Sequence, residues 1–175
     1  MVTPLPAPWR HHAIRHPGPG DHLPVLAVLD RWWGGLGGEA GSRQRALLLP
    51  KLMFQHFAGS SFLVTADDRI VAFLIGFLSP SRPAESYIHF VGVEPAERGR
   101  GLGAALYERF FADSAAHGRS VVRAITSPEN KGSHAFHTRM GFVTEPGPKD
   151  IDGVPVQPDH DGPGLDRLSF RKDLG

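Results

Sequence analysis

The sequence predicts an α/β (α+β) fold with a mixed, mainly antiparallel central sheet of about seven strands and helices on both faces. Apolar runs at 61–66, 70–78 and 85–93 follow one another across short polar turns, which indicates an antiparallel meander. The third run leads through a glycine-rich loop into an amphipathic helix, 103–117, and then into a strand, 121–126. Because a helix connects the strands at 85–93 and 121–126, we expect them to be parallel in a right-handed βαβ unit.

The N-terminal elements are predicted from caps and breakers. A first strand at 11–16 stops at Pro17-Gly18-Pro19-Gly20, and Asp21 is expected to cap a helix that ends at Trp32-Trp33. Residues 34–41 are interpreted as a flexible connection. A second helix, 43–57, is expected to be kinked or interrupted by Pro50, which has no N–H group to donate.

The C-terminal elements follow similar signals. Gly118 is expected to close the helix at 103–117, and Gly141 to end a short helix at 130–140. A strand then begins at Phe142. Residues 145–165 hold five prolines and are interpreted as a loop, not a separate domain, and a last strand covers 165–172.

Length and composition limit the possible functions. The 175 residues predict a flexible N-terminal arm at 1–9 and a single domain at 10–175. A net charge of +1 argues against a dedicated nucleic-acid or membrane-surface binder. The chain has no cysteine, which excludes disulfides, thiolate metal sites and a covalent thiol mechanism, and which fits a cytoplasmic protein. No apolar run approaches the ~18 residues of a membrane helix. The sequence leaves open whether the protein is a monomer or a homodimer.

Glycine stands at every second position between the strand at 85–93 and the helix that follows, at Gly99, Gly101 and Gly103. Glycine has no Cβ atom and tolerates positive φ, so this loop can turn its N–H groups towards a bulky anion. The start of a helix also offers unpaired N–H groups and the positive end of the helix dipole. The loop therefore suits a phosphate or pyrophosphate, to which Arg98 and Arg100 would add mobile positive charge.

Two familiar phosphate loops do not fit this spacing. The loop of nucleoside triphosphatases requires a lysine followed by serine or threonine, and no lysine is present here. The dinucleotide fingerprint requires G-x-G-x-x-G and an acidic residue near the end of the next strand, but the strand at 120–126 ends without one.

The loop Arg98-Gly99-Arg100-Gly101-Leu102-Gly103 resembles instead the pyrophosphate loop of the Gcn5-related N-acetyltransferase (GNAT) superfamily, Gln/Arg-x-x-Gly-x-Gly/Ala. Residues 130–142 are similar to that family's Asn-x-x-Ser/Ala-x-x-Phe-Tyr-x-x-x-Gly-Phe helix, with His137 in the place of the tyrosine. The resemblance implies the acyl-CoA N-acyltransferase (GNAT) fold, with acetyl-CoA (coenzyme A) as the acyl donor.

The resemblance also implies which residues contact the cofactor. The backbone of Val91 and Val93 would pair with the pantetheine arm where two strands splay apart. Gly92 either forms a β-bulge at this point or is glycine because a side chain would not fit into the packing. The loop would hold the pyrophosphate, and the helix at 130–140 would contact the rest. No metal is expected. The full cofactor set is Val91, Gly92, Val93, Arg98, Gly99, Arg100, Gly101, Leu102, Gly103, Ala104, Asn130, Ser133 and His137.

Acetyl transfer to an amine requires a base, because an alkylamine with a pKa of about 10.4 is almost wholly protonated at pH 7. Tyr87 and His89 share one strand face, at positions that match the base in related acetyltransferases. His89 is the preferred base. The alternative is that His89 has a structural role and only forms a hydrogen bond with a neighbouring carbonyl. Glu85 is a reserve candidate for the base. The Val91 N–H would polarise the carbonyl. His137 would either protonate the leaving thiolate or only contact the cofactor.

The predicted reaction moves the acetyl group of acetyl-CoA to a primary amine of a small molecule, by direct attack in a ternary complex. Two alternatives stay open: a catalytically silent acyl-CoA binding or sensing module, and a protein N-terminal or lysine acetyltransferase. Aromatic and acidic side chains are candidates for the acceptor pocket, although the tryptophans would equally cover the sheet. They are Trp32, Trp33, Phe54, Asp30, Glu39, Asp159 and Asp161.

Other polar clusters are not assigned a metal. The pairs His12 with His16 and His134 with His137 lack the context of a zinc motif. The Asp-x-Asp-Gly segments at 150–153 and 159–162 lack the terminal glutamate of a calcium loop and are interpreted as Asx turns.

Overall fold

The computed structural model describes residues 5–33 and 38–175. The helices are α1 (His22–Trp32), α2 (Gly38–Leu48), α3 (Leu52–His56), α4 (Leu102–Ala116) and α5 (Lys131–Arg139). The strands are β1 (Ala13–Arg15), β2 (Phe62–Ala66), β3 (Arg69–Leu78), β4 (Glu85–Val93), β5 (Val121–Thr126), β6 (Val143–Thr144), β7 (Lys149–Ile151), β8 (Val154–Val156) and β9 (Leu168–Asp173).

The main sheet has seven strands in the order β1-β2-β3-β4-β5-β9-β6, and β7 pairs only with β8. The β4–β5 pair is parallel, whereas β1–β2, β2–β3, β5–β9 and β6–β9 are antiparallel. The predicted mixed, mainly antiparallel sheet is therefore confirmed. The predicted bounds of β4 and β5 are also those of the structure.

The chain divides into two compact units. The first contains Met1–Phe77 and Ile88–Asp113, and the second contains Leu78–Tyr87 and Ser114–Gly175. Three elements, β3, β4 and α4, have residues in both units.

In the first unit, helices cover both faces of the sheet. Trp32 of α1 lies in one buried cluster with Leu63 of β2 and Phe73 of β3. Phe62 precedes Leu63 and therefore points to the opposite face. There the Arg109 guanidinium of α4 lies 5.6 Å from the centre of the Phe62 ring.

In the second unit, β5 pairs with β9 along its whole length, from Val121↔Asp173 to Thr126↔Leu168. The α5 helix contacts this pair through His137, whose ring centre lies 4.5 Å from that of Phe170. Phe142, just after α5, closes the same aromatic group at 5.2 Å from His137.

The predicted hairpin between β2 and β3 is present, with Asp67 and Asp68 at its turn. Both have positive φ, 48° and 59°, which aspartate tolerates better than most residues. The helix predicted at 43–57 was expected to be either kinked or interrupted at Pro50. It is interrupted there and becomes α2 and α3. The prediction of a flexible connection at 34–41 is wrong for residues 38–41, because α2 begins at Gly38. Residues 34–37 lie outside the described residues.

The loop predicted at 145–165 contains a β-hairpin that the sequence interpretation missed. Its turn is Asp152-Gly153, both at positive φ (55° and 80°), and the Asp150 carboxylate accepts a hydrogen bond from the Gly153 N–H at 2.8 Å. Ile151 pairs with Val154 across the turn. The Asp-Gly pair between apolar residues is a hairpin signal that the high proline content obscured.

In the described part of the predicted N-terminal arm, residues 5–9, the two ends are buried and residues 6–8 are exposed. Leu5 and Trp9 are both buried. The longest described helix is α4, with 15 residues, and no helix in the described parts of the chain is long and apolar enough to cross a membrane.

Candidate active site

The glycine loop reaches α4 with two residues in a left-handed conformation. Gly99 has φ +72° and Gly101 has φ +91°, and the first helical hydrogen bond runs from the Ala105 N–H to the Gly101 carbonyl at 3.0 Å. The helix therefore begins at Leu102, and its first N–H groups have no carbonyl one turn earlier within the helix. These positive-φ glycines are the backbone geometry that an inward-turned anion loop requires.

The two loop arginines, expected to be mobile, are both held. Arg98 donates from Nε to the Val93 carbonyl at 3.0 Å and from Nη2 to the Trp32 carbonyl at 3.4 Å. It thus joins the end of β4 and the end of α1 to the start of the loop. Arg100 forms an ion pair with Glu97 at 2.6 Å, and its side chain stays half exposed.

Gly92 is required by packing. A Cβ atom there would lie 2.5 Å from Cε1 of Phe73 and 3.1 Å from Cζ3 of Trp32, too close for any side chain. The packing alternative for Gly92 therefore accounts for it. The parallel register between β4 and β5 covers only Glu85–Tyr87, so Val91 and Val93 lie beyond its end.

His89 caps the end of α2. Its Nε2 atom lies 2.5 Å from the Leu48 carbonyl, and His22 Nε2 lies 2.9 Å from the Leu49 carbonyl. Pro50 ends the helix, so these carbonyls receive imidazole donors in place of helical N–H groups. Because a carbonyl only accepts, His89 carries its proton on Nε2, and Nδ1 holds the lone pair of the neutral ring.

Tyr87 keeps its proton at neutral pH. Burial raises the pKa of Tyr87 to about 12, with a further upward contribution from the Asp161 carboxylate that the nearby Arg167 and Arg123 partly offset. A phenol with this pKa is fully protonated at neutral pH, so it is not a base there, and burial also makes it a weaker acid than an ordinary tyrosine.

Glu85 is part of a partly buried ionic network and is not a free base. It accepts from Arg123 Nε at 2.9 Å, and Arg123 also contacts Glu145 at 2.5 Å. Burial alone would raise the pKa of Glu85, but the Arg123 hydrogen bond and the charges of Arg123 and Arg82 outweigh it and lower the pKa. The carboxylate is therefore fixed in its charged form as an ion-pair partner.

The α5 helix begins with a cap formed by two predicted cofactor residues. Asn130 is the N-cap, and its Oδ1 accepts a hydrogen bond from the Ser133 N–H at 3.0 Å. This bond orients both residues at the positive end of the helix. Phe136 is half-buried, whereas the neighbouring His137 is buried.

His137 is a buried aromatic side chain. Its ring is parallel to Phe170 within 4°, and its Nδ1 lies 2.8 Å from the Ser133 carbonyl. Burial lowers the pKa of His137, the Ser133 carbonyl opposes this, and a charge on His134 would lower it further. The ring is therefore neutral at pH 7, which favours a packing and contact role over proton donation to a thiolate.

The residues considered for an acceptor pocket have other partners. Trp32 stacks on Phe73 with ring centres 5.9 Å apart, and Trp33 stacks on Phe90 at 5.4 Å. Phe54 is fully buried. The four carboxylates, Asp30, Glu39, Asp159 and Asp161, accept hydrogen bonds from Arg45, Arg43, the Gly164 N–H and Arg167, respectively. Across residues 5–33 and 38–175, no three metal-binding side chains are grouped as ligands.

Sequence interpretation missed two features of this region. The Arg98 link to the Trp32 carbonyl and the Trp9 ring beside the loop both join residues far apart in the chain. No local pattern signals either contact, because each depends on how the elements fold together.

Comparison with known proteins gives consistent results. A model of the acetyltransferase (GNAT) family matches residues 26–142. The chain is 37% identical over 85 residues to the L-2,4-diaminobutyric acid acetyltransferase of Nocardia farcinica (strain IFM 10152), covering 49% of this chain and 44% of that protein. The chain spans about half the length of the curated relatives it matches.

Solved structures share the fold. Ard1 from Thermoplasma volcanium superposes with a TM-score of 0.70 at 18% identity, covering 94% of this chain and 99% of that one. Diaminobutyrate acetyltransferase EctA from Paenibacillus lautus, solved with L-2,4-diaminobutyric acid and coenzyme A, superposes with a TM-score of 0.64 at 18% identity, covering 93% and 95%. Since the family model matches well over half of the residues, this protein belongs to the acetyltransferase (GNAT) family.

Proposed function

We propose that this protein is an N-acetyltransferase that moves the acetyl group of acetyl-CoA to a primary amine of a small molecule. The observation that carries the proposal is the loop before α4, where Gly99 and Gly101 adopt the positive φ that suits a loop holding an anion at a helix N-terminus. Relatives named L-2,4-diaminobutyric acid acetyltransferases make a diamino acid the first acceptor to test.

The donor is held, in this proposal, by backbone groups more than by side chains. The loop from Arg98 to Ala104, including Arg100, Leu102 and Gly103, holds the diphosphate. The strand-edge groups of Val91 and Val93 hold the pantetheine arm, while Gly92 admits the Phe73 and Trp32 rings beneath them. On α5, the predicted cofactor contacts remain Asn130, Ser133 and His137.

The amine nitrogen attacks the thioester carbonyl directly, and a chain without cysteine offers no thiol for an acyl-enzyme. His89 accepts the amine proton through Nδ1, since the Leu48 carbonyl holds the other ring proton in place. The Val91 N–H stabilises the charge on the carbonyl oxygen. As the C–S bond breaks, the coenzyme A thiolate takes up a proton, for which Tyr87 is a better donor than a neutral His137.

A second candidate function is a silent acyl-CoA binding or sensing module. It is favoured by a single observation: the position of the family's tyrosine is occupied by a buried histidine whose pKa is lowered. Such a module would bind the cofactor without transferring its acetyl group.

Thiol release from acetyl-CoA, measured against a panel of amines, tests the proposed reaction. The panel contains L-2,4-diaminobutyrate, mono-amine analogues that lack either amino group, an aminoglycoside, and peptides with a free N-terminus or a lysine. We expect stimulated release with a small diamine and none with the peptides. Peptide-stimulated release would favour the protein acetyltransferase, and tight binding of coenzyme A without any release would favour the silent module.

The loop assignment has a matched pair of variants. Gly99 and Gly118 both have φ +72° and open space at the Cβ position, but Gly99 lies in the loop before α4 and Gly118 after its end. Alanine imposes a similar backbone strain of about 1 kcal/mol at either site. We expect Gly99→Ala to weaken coenzyme A binding at least about tenfold in calorimetry, with Gly118→Ala unchanged. Equal affinities in both variants would remove the loop from the site.

A further inference from the structure

The segment before β1 lies against the glycine loop. A Cβ atom built on Gly101 would come within 3.2 Å of Cη2 and 3.9 Å of Cζ2 of the Trp9 indole. Trp9 itself is only 5% exposed. The six-membered ring of the indole therefore occupies the space on the Cβ side of Gly101, the residue at the centre of the loop.

The segment that carries Trp9 follows a defined path within the first unit. Leu5 and Pro6 line a cavity of about 190 Å³ with Ala105, Glu108 and Arg109 of α4. Hydrogen bonds from the Trp9 N–H to the Pro6 carbonyl (2.9 Å) and from the His12 N–H to the Trp9 carbonyl (2.8 Å) then turn the chain towards β1. The segment thus runs beside the first turns of α4 and is fixed at its other end by the sheet.

We propose that Trp9 is a positioning residue for the diphosphate of the acyl donor, which it serves by holding Gly101 in the positive-φ conformation that turns the loop N–H groups inward. This inference rests on the proposed function, since it assigns Trp9 to the donor half of that same site. The physical reason is preorganisation. A loop rich in glycine has many conformations, and binding an anion costs the free energy of selecting one of them. A large rigid ring packed on Gly101 restricts that choice before the ligand arrives.

The contact is made by the ring and not by its polar atom. Trp9 Nε1 is buried and has no hydrogen-bond partner among the described residues. Replacing tryptophan with phenylalanine therefore removes no hydrogen bond and keeps an aromatic ring pointing towards Gly101, although a shorter one that fills less of the space of Cζ2 and Cη2. Trp9→Phe is accordingly the conservative variant, and Trp9→Ala the one that empties the space.

The experiment compares two acyl donors. Acetyl-CoA has the diphosphate, and S-acetylpantetheine has the same thioester arm without it. We expect Trp9→Ala to lower kcat/KM for acetyl-CoA about tenfold, through KM and with little change in kcat, and to leave kcat/KM for S-acetylpantetheine within twofold of the unmodified protein. Trp9→Phe should give a value for acetyl-CoA between those of Trp9→Ala and the unmodified protein.

Leu5→Ala controls for general loosening of the segment, because Leu5 is equally buried but lies beside the second turn of α4 and not over Gly101. It should lower the melting temperature and leave KM for acetyl-CoA unchanged. Equal losses with both donors in Trp9→Ala, or an unchanged KM for acetyl-CoA in a folded variant, would overturn the inference.

Calorimetry with coenzyme A separates this inference from the proposed function. If the unmodified protein does not bind coenzyme A, both are wrong. If it binds, and a folded Trp9→Ala variant binds with the same affinity, only the role of Trp9 is wrong. Should Trp9→Ala fail to fold, Trp9→Leu provides the test, since it fills part of the space without a flat ring.

Discussion

Histidine has two different roles in this protein, and its surroundings decide which. His89 and His22 donate to carbonyls at the end of α2, so each has its proton on Nε2 and its lone pair on Nδ1. His137 is stacked on Phe170 in the core, where burial keeps it neutral. The hydrogen bond to Leu48 holds His89 in one tautomer, as a base requires. His137 is instead an aromatic ring packed in the core.

The base role of His89 can be separated from its helix-capping role with two substitutions. Glutamine keeps an N–H donor for the Leu48 carbonyl but has no titrating group, whereas alanine loses both. We expect His89→Gln to retain the melting temperature and to lose the rise of kcat/KM with pH, while His89→Ala loses that rise and about 1 kcal/mol of stability. The measurements are pH–rate profiles and thermal unfolding. A normal pH profile in the folded glutamine variant would move the base elsewhere.

At the scale of elements, the ends of α2 and α5 show how the tertiary structure completes what local sequence begins. Pro50 stops α2, but side chains from α1 and β4 supply the donors that its last carbonyls require. Asn130 caps α5 through the Ser133 N–H, and His137 one turn further on fixes the helix to β9 through Phe170. Residues predicted for the cofactor therefore also hold their own helix.

The buried His137 predicts a loss of stability in mild acid. Its pKa in the folded protein lies below the ordinary 6.5, so the unfolded chain takes up the proton first as the pH falls. Stability is complete above pH 6.5 and decreases as the pH drops towards the folded pKa, by at most about 1.4 kcal/mol per pH unit. Urea unfolding between pH 7.5 and 5 measures this slope.

The variant His137→Phe should remove this contribution to the slope and keep kcat for thiol release within about threefold, because a packed ring replaces a packed ring. Because His137 is also a predicted cofactor contact, any loss should appear in KM for acetyl-CoA. His11→Gln is the control, since His11 is exposed and its replacement should leave the slope as it was. A large loss of rate in a stable His137→Phe variant would assign the proton donation to His137 after all.

At the scale of the whole molecule, the two compact units share three continuous elements. Each of β3, β4 and α4 starts in one unit and ends in the other. Unfolding one unit would therefore remove part of a strand or helix from the other.

We accordingly expect one cooperative transition in scanning calorimetry, with equal calorimetric and van't Hoff enthalpies, as the predicted single domain at 10–175 requires. Saturation with coenzyme A at about one hundred times its Kd should raise the stability of the whole chain by about 2.7 kcal/mol. Two separated transitions, of which only one responds to coenzyme A, would show that the units fold independently.

Much of the fold was accessible from local pattern. The bounds of β4 and β5, the Asp67-Asp68 turn and the break at Pro50 each depend on residues close together in the chain, where alternation, turn chemistry and the missing proline N–H act directly. The Asp152-Gly153 hairpin was also accessible but was overlooked among the prolines. The start of α2 was not, because Gly38 and Gly41 have weak helix propensity and separate it from the stronger helix formers that follow.

What the sequence by itself determined is the glycine loop before α4, and through it the family, because positive φ without a Cβ penalty is a property of glycine alone and needs no partner. Only the tertiary structure decided what the side chains around it do. It made Arg98 a link between α1 and β4, placed Trp9 on Gly101, and gave His89 and His137 their different surroundings. Hydrogen bonding, burial and charge act across space between residues distant in the chain, so these roles follow from contacts that no local pattern contains.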